Sequence, residues 1–164
     1  MALALNLQLS PAPTWSTRTL LYAIPEYFIW FFLFGGPLNE EPGWRGFALP
    51  RLQSRFSPLV ASLILGTFWG LWHVPLHLMG MYYGGAWGAL IRIQEIPRAI
   101  LFTWIYNRTK GSLLLTILFH ATINTTGFFL PRSFPMILVV CTLTAILIAI
   151  KERMWKRLPS IGNL

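Results

Sequence analysis

Two adjacent glutamates, Glu40 and Glu41, follow a nearly unbroken apolar run, Tyr27–Leu38, in a chain with only five acidic residues, all glutamate. A charged side chain at membrane depth costs about 2.5–3.5 kcal/mol on insertion scales, so such residues face the bundle interior and mark working sites. Glu41 and Arg45 are four apart, share a face on one helix and can pair. Glu40 lies about 100° around that helix and is left for chemistry. Two neighbouring carboxylates cannot both ionise cheaply, which keeps one as a usable base. A charge cluster capping the first span at the interface is the plainer alternative.

Histidines supply the second half of a possible site. FWGLWHVPLHL carries His73 and, four residues on, His77. A zinc-protease helix needs Glu directly after its first His. Val74 stands there instead, and Pro75 distorts the helix between the two rings. His77 is expected to be interfacial or structural, and His73 by itself reads as a hydrogen-bonded core histidine. In HATINTT, His120 and Asn124 project from one face. Both can donate hydrogen bonds, which suits a developing oxyanion. The alternative is helix–helix adhesion, which Thr122, Thr125 and Thr126 also fit.

The elements that must position these residues are apolar spans. Of 164 residues, 55% are hydrophobic and 11% charged, against about 25% charged in soluble domains. The expected fold is all-α: one domain, 1–164, forming a polytopic transmembrane bundle of about five helices. The spans fall at about Leu20–Leu38, Ser57–Met79, Ile96–Tyr106, Ser112–Leu130 and Pro135–Ile150. The first is expected to continue helically through GPLNEEPGWRGFALPRL. The third is short, crowded by Arg92, Glu95 and Arg98, and helped by AWGALI. Gly80–Gly88 reads as an interfacial loop and Pro131–Arg132 as a turn. Met1–Ser16 lacks a basic n-region, so no cleaved signal peptide is expected. Cys141 alone can form no intrachain disulfide.

Net charge is +8, but the Lys and Arg residues flank apolar spans, which points away from nucleic acid. Nine of the 13 lie on alternate connections (Arg45, Arg51, Arg55; Arg108, Lys110; Lys151, Arg153, Lys156, Arg157). That asymmetry places the C-terminus in the cytosol, in a cell membrane expected to be bacterial. At about 1.5 Å per residue, Glu40 lies roughly 16 Å from Arg51 and His120 roughly 13 Å from Gly111, a common plane. His73 comes out deeper, roughly 24 Å from Ser57.

Together, Glu40-Glu41-Pro-Gly-Trp-Arg45, Trp69-Gly-Leu-Trp-His73 and His120-Ala-Thr-Ile-Asn124 resemble the CPBP family of CAAX-processing and bacteriocin-processing intramembrane proteases. The motif core is 40–124, about half the chain. The resemblance implies a helical bundle with a cytosol-facing cavity, in which Glu40 activates water and His73 helps hold it. It also implies that His120 and Asn124 stabilise the oxyanion, while Glu41 with Arg45 fixes the helix. Its eukaryotic branch acts on prenylated CAAX tails, removing three residues, a substrate that bacteria generally lack. The family is often labelled metalloprotease. No metal is expected to be required, and a zinc ion, if bound, would sit on Glu40, His73 and His120. Relatives usually carry more helices before EExxxR, so a minimal member, a truncated frame or a chain needing a partner subunit or oligomer is expected. The expected partners are the bilayer and a peptide, lipidated or not. The competing functions are a scaffold or bacteriocin self-immunity protein of the same fold, and a small proton-coupled transporter.

Overall fold

The computed structural model describes residues 16–81, 85–129 and 134–157. Helix α1 (Thr17–Phe34) starts where the Ser16 hydroxyl accepts the Thr19 amide, and it buries none of its residues. The helix does not continue straight on. It bends at Gly35–Gly36, and Gly36 takes φ +104, a conformation that favours glycine. The Gly36 carbonyl accepts the Asn39 and Glu40 amides at 2.9 and 2.8 Å, starting α2 (Pro37–Glu41).

Pro42–Ala48 then forms a π-helical segment, with the Leu49 amide donating to the Trp44 carbonyl, before α3 (Leu49–Gln53). Pro42 has no N–H to give the preceding turn, which favours the wider winding here. The expected single helix from Leu20 through EEPGWR is therefore bent and rewound. Its Glu41–Arg45 register survives the change.

Helix α4 (Pro58–Leu78) is capped by the Ser57 hydroxyl and runs through Pro75 without a break. The stretch expected to be a loop to Gly88 is helical from Gly85, as α5 (Gly85–Ile91). A 3₁₀ turn, Arg92–Gln94, leads into α6 (Glu95–Arg108). Lys110 and Gly111, with φ 54 and 83, turn the chain into α7 (Leu113–Phe129), and α8 is Phe134–Lys151. The expected turn at Pro131–Arg132 and the expectation for Met1–Ser16, apart from Ser16 itself, lie outside the described residues.

The bundle is turned inside out relative to a soluble protein. Buried positions on α4, α6, α7 and α8 are mostly small or polar (Ala61, Ser62, Ala99, Thr103, Thr116, Ala121, Ala145). Large apolar side chains such as Phe34, Phe68, Trp72, Leu114 and Leu147 point outwards. A contiguous apolar exterior of this kind is what lipid tails require. Of the described helical stretches, Thr17–Gln53 and Pro58–Leu78 are long and apolar enough to cross a membrane by length and composition. α7, the apolar stretch Met136–Lys151 of α8 and the 14-residue α6 fall short of the about 20 residues that a crossing needs, although α6 and α8 each run past the spans expected for them. The five-span count therefore rests, for those three, on their place in the bundle rather than on length.

Three basic connections gather at one end. The Leu59 amide donates to the Met154 carbonyl at 2.9 Å, and Arg108 pairs with Glu152 at 2.9 Å. Arg45 is buried and leaves the charge count, so the asymmetry becomes eight against four (nine less one).

α4 meets α6 at Gly66 and the 3₁₀ turn before it at Gly70, where the missing side chains leave room. A Cβ on Gly66 would lie 2.6 Å from Ile96 Cα and 2.9 Å from the Glu95 carbonyl oxygen, both backbone atoms that cannot swing aside. Gly66→Ala is expected to destabilise the protein by about 1–3 kcal/mol through overpacking. Gly127→Ala, with open space around it, should cost nothing. Thermal unfolding of both variants in detergent checks the contrast.

Candidate active site

The structure brings Glu40, Glu41, Arg45 and His120 into one cluster, with Trp69 as a fifth member. Glu41 is 0% exposed, and its Oε1 meets two donors: Arg45 Nη1 at 2.9 Å and His120 Nδ1 at 2.8 Å. An ionised carboxylate only accepts, so His120 Nδ1 carries a hydrogen and Nε2 is left as the nitrogen that can meet a ligand. Arg45 is 1% exposed, with its guanidinium 4.5 Å from the Trp69 ring centroid and 4.0 Å from that of Phe102. Two aromatic faces thus replace the water that a buried guanidinium has lost. Glu41 Oε2 and Arg45 Nε are buried without a hydrogen-bond partner among the described residues.

Glu40 is placed differently from its neighbour. It is half-buried, and its Oε2 accepts the Trp69 indole N–H at 2.8 Å. Its other oxygen, Oε1, lies against Gly36: a Cβ there would stand 2.5 Å from it. Gly36 is therefore needed twice, for its φ and for the space its missing side chain leaves to the carboxylate. Neither Trp69 nor Gly36 was expected as a partner of Glu40. The available signal was the spacing of Trp69 and His73, which as i and i+4 share a helix face.

That spacing also resolves the depth of His73. Trp69 lies twelve residues after Ser57, about 18 Å along the helix, level with Glu40 and His120. His73 sits one turn further on. Its Nδ1 donates to the Trp69 carbonyl oxygen at 2.8 Å and its ring centroid is 6.2 Å from that of Trp69. Trp69 also stacks edge-on against His120, at 5.3 Å between ring centroids.

Asn124 donates from Nδ2 to the Gly35 carbonyl at 3.2 Å, tying α7 to the bend before the glutamates. The amide has a second hydrogen for a ligand. His77 is buried and accepts the Arg92 Nε–H at 2.9 Å, outside the glutamate cluster.

A zinc ion on Glu40, His73 and His120 does not fit this arrangement. Among the described residues no three His, Cys, Asp or Glu side chains converge on a metal-sized space. Of the three, His73 stands one turn beyond Trp69, the residue that holds Glu40.

The buried ion pair carries the first functional prediction. Removing Arg45 leaves the Glu41 charge uncompensated, and breaking a buried pair costs about 3–5 kcal/mol. Arg45→Ala should lower thermal stability in detergent by that order. The double variant Glu41→Gln/Arg45→Met should regain most of the loss, because no unpaired charge remains.

The family described as type II CAAX prenyl endopeptidase Rce1-like matches residues 22–126, a segment that includes every residue of the cluster. The chain is 39% identical over 92 residues to CAAX prenyl protease 2 of Methanococcus maripaludis, covering 52% of this chain and 34% of that protein. It thus spans about a third of the length of the curated relative it matches. With the family matched over well over half of its residues, this chain belongs to the Rce1-like family of CAAX prenyl endopeptidases, a family of membrane proteins.

Proposed function

We propose that the chain is an intramembrane endopeptidase that hydrolyses a peptide bond near the membrane face by water activated on Glu40. The observation that carries this reading is the unequal treatment of the two glutamates. Glu41 is sealed in and neutralised by Arg45 and His120, whereas Glu40 is half-buried, with Oε2 held by Trp69 and Oε1 beside the bare Cα of Gly36. A positioned, partly accessible carboxylate is a general base; a sealed and paired one is a support.

In this mechanism Glu40 takes a proton from water as its oxygen attacks the scissile carbonyl carbon. The negative charge moves to the carbonyl oxygen, giving a tetrahedral intermediate. His120 Nε2, when protonated, and the second Asn124 N–H donate to that oxyanion. Glu41 holds the imidazole ring in place, as the carboxylate of a Ser-His-Asp triad holds its histidine. The intermediate collapses as the C–N bond breaks, and Glu40 returns the proton to the leaving amine. His73, one turn beyond Trp69, is assigned to holding the water, since Nδ1–H donation to the Trp69 carbonyl makes Nε2 an acceptor.

The substrate proposed is a CAAX-type C-terminal tail carrying a thioether-linked isoprenoid, in keeping with the relative's name. The end bearing Arg108, Lys151 and Arg153 is assigned to the cytosol by the positive-inside rule, together with the C-terminus.

Cleavage of a farnesylated peptide by membranes containing the chain tests the assignment. Glu40→Gln is expected to lower the rate by about 10²–10⁴-fold and His120→Ala by about 10²–10³-fold, with both proteins inserting normally. Full activity in either variant would sink the mechanism. Gly36→Ala should move in the same direction, because the new methyl displaces Glu40 Oε1. The same assay with and without a chelator decides whether a metal is also needed.

A further inference from the structure

A pocket that the mechanism does not use opens at the end where the basic connections gather. It lies between the start of α4 at Pro58, the end of α6 at Trp104, Asn107 and Arg108, and the turn after α8, 152–157. Its volume of about 450 Å³ falls within the range of about 300–1,000 Å³ usual for small-molecule sites. Arg108, Arg153, Lys156 and Arg157 line it against one carboxylate, Glu152, so four cations less one anion leave three positive charges. Among the described residues Glu152 pairs with Arg108 at 2.9 Å, and Arg153, Lys156 and Arg157 have no acidic partner.

These cations are not spent on the helix end either. Basic side chains often bond the last carbonyls of a helix. At the end of α8 the Glu152, Arg153 and Met154 amides already take the Ile148, Ile150 and Ala149 carbonyls, at 2.9, 3.2 and 3.0 Å. The turn is also fixed in place. Met154 is buried with Ile100, Ala145 and Ala149, and its carbonyl accepts the Leu59 amide at 2.9 Å. Arg153 keeps φ 50, a conformation that favours glycine. The fold thus holds like charges around a cavity although they repel one another.

The neighbouring surface says which anion fits. Leu143, Leu147 and Ile150 are exposed on α8 and, at i, i+4 and i+7, share one face; the pocket begins two residues later. Trp155, also exposed, is of the side-chain type that settles at headgroup level. Apolar stripe, indole and cationic pocket therefore follow one another along the chain as tails, glycerol and phosphate do in a lipid. We propose that the pocket holds the phosphate-bearing headgroup of an anionic phospholipid, with its acyl chains against α8. Phosphate oxygens accept charge-assisted hydrogen bonds from guanidinium and ammonium groups. A zwitterionic headgroup brings its own cation and gains less, and a soluble phosphate ester offers the same oxyanion without tails. This inference is independent of the endopeptidase reading.

The test titrates the purified chain in detergent with dioleoylphosphatidylglycerol, dioleoylphosphatidylcholine or glycerol 1-phosphate. Native mass spectrometry counts the bound molecules, and the shift in Tm reads stabilisation. One phosphatidylglycerol per chain is expected, bound about tenfold or more tighter than phosphatidylcholine. Lys156→Ala/Arg157→Ala should weaken that binding about tenfold or more. Arg51→Ala/Arg55→Ala removes the same charge from exposed positions that do not line the pocket, and should change it little. Arg153→Gly removes a pocket charge and suits its backbone, so lipid affinity should fall while Tm without lipid holds or rises. Equal weakening by the two double variants means diffuse attraction to a basic face and overturns the proposal. So does equal affinity for the two lipids, or undiminished affinity in Arg153→Gly. Glycerol 1-phosphate binding as tightly as the lipid rejects the lipid and makes a soluble phosphate ester the ligand.

Discussion

One oxygen atom organises this bundle: Oε1 of Glu41, which meets Arg45 at 2.9 Å and His120 at 2.8 Å in the complete absence of solvent exposure. In a low-dielectric interior such contacts are strong when satisfied and costly when broken. Everything packed around them is constrained in turn. The π-helical segment must present Arg45, α7 must present His120, and α4 and α6 must supply Trp69 and Phe102 to cover the guanidinium. Four elements are thereby held to a single carboxylate on α2, which itself does no chemistry in the proposed reaction.

The reactive carboxylate is one residue away, and its difference is produced by backbone geometry. Gly36 opens the chain at φ +104 and leaves space for Glu40 Oε1, while the Trp69 indole holds the other oxygen. Asn124 ties the same bend to α7 through the Gly35 carbonyl. A pair of identical side chains is thus split into a support and a base by what surrounds each, as in other sites with two carboxylates. The lipid setting sharpens the division. Small residues line the helix contacts and large apolar ones face outwards, so the polar groups can be satisfied only by one another.

Much of the site was legible along the chain because helical spacing is a local property. Glu41 and Arg45, or His120 and Asn124, share faces whatever the tertiary arrangement, and the pairing of the first two follows from four residues of separation. The apolar stretches that became α1, α4, α6, α7 and α8 were legible for a similar reason: hydrophobicity interrupted by charge is written in one dimension. The depth estimate put Glu40 and His120 in one plane and His73 deeper, and it left unnamed the residue at that plane on α4, which is Trp69. A tryptophan in an apolar run gives no sign that its one N–H will be spent on a carboxylate 29 positions earlier.

By itself, then, the sequence determined the membrane character, the helical class and the identity of the charged residues that had to meet, since burying a charge in lipid without a partner is too costly to survive. Tertiary structure decided which partner each one has. The tie of the Gly35 carbonyl to Asn124 and the close approach of α4 to Glu95 and Ile96 at Gly66, and to Arg92 at Gly70, join distant segments. Those contacts assign His120 to Glu41 and Trp69 to Glu40, and gather Arg92, Glu95, Arg98 and His77 into a second group. Spacing along one helix gives the Arg92–Glu95 and Glu95–Arg98 pairs, three residues apart, but is blind to the contacts of His120 with Glu41, Trp69 with Glu40 and Arg92 with His77, because each joins residues whose separation is set by packing between helices.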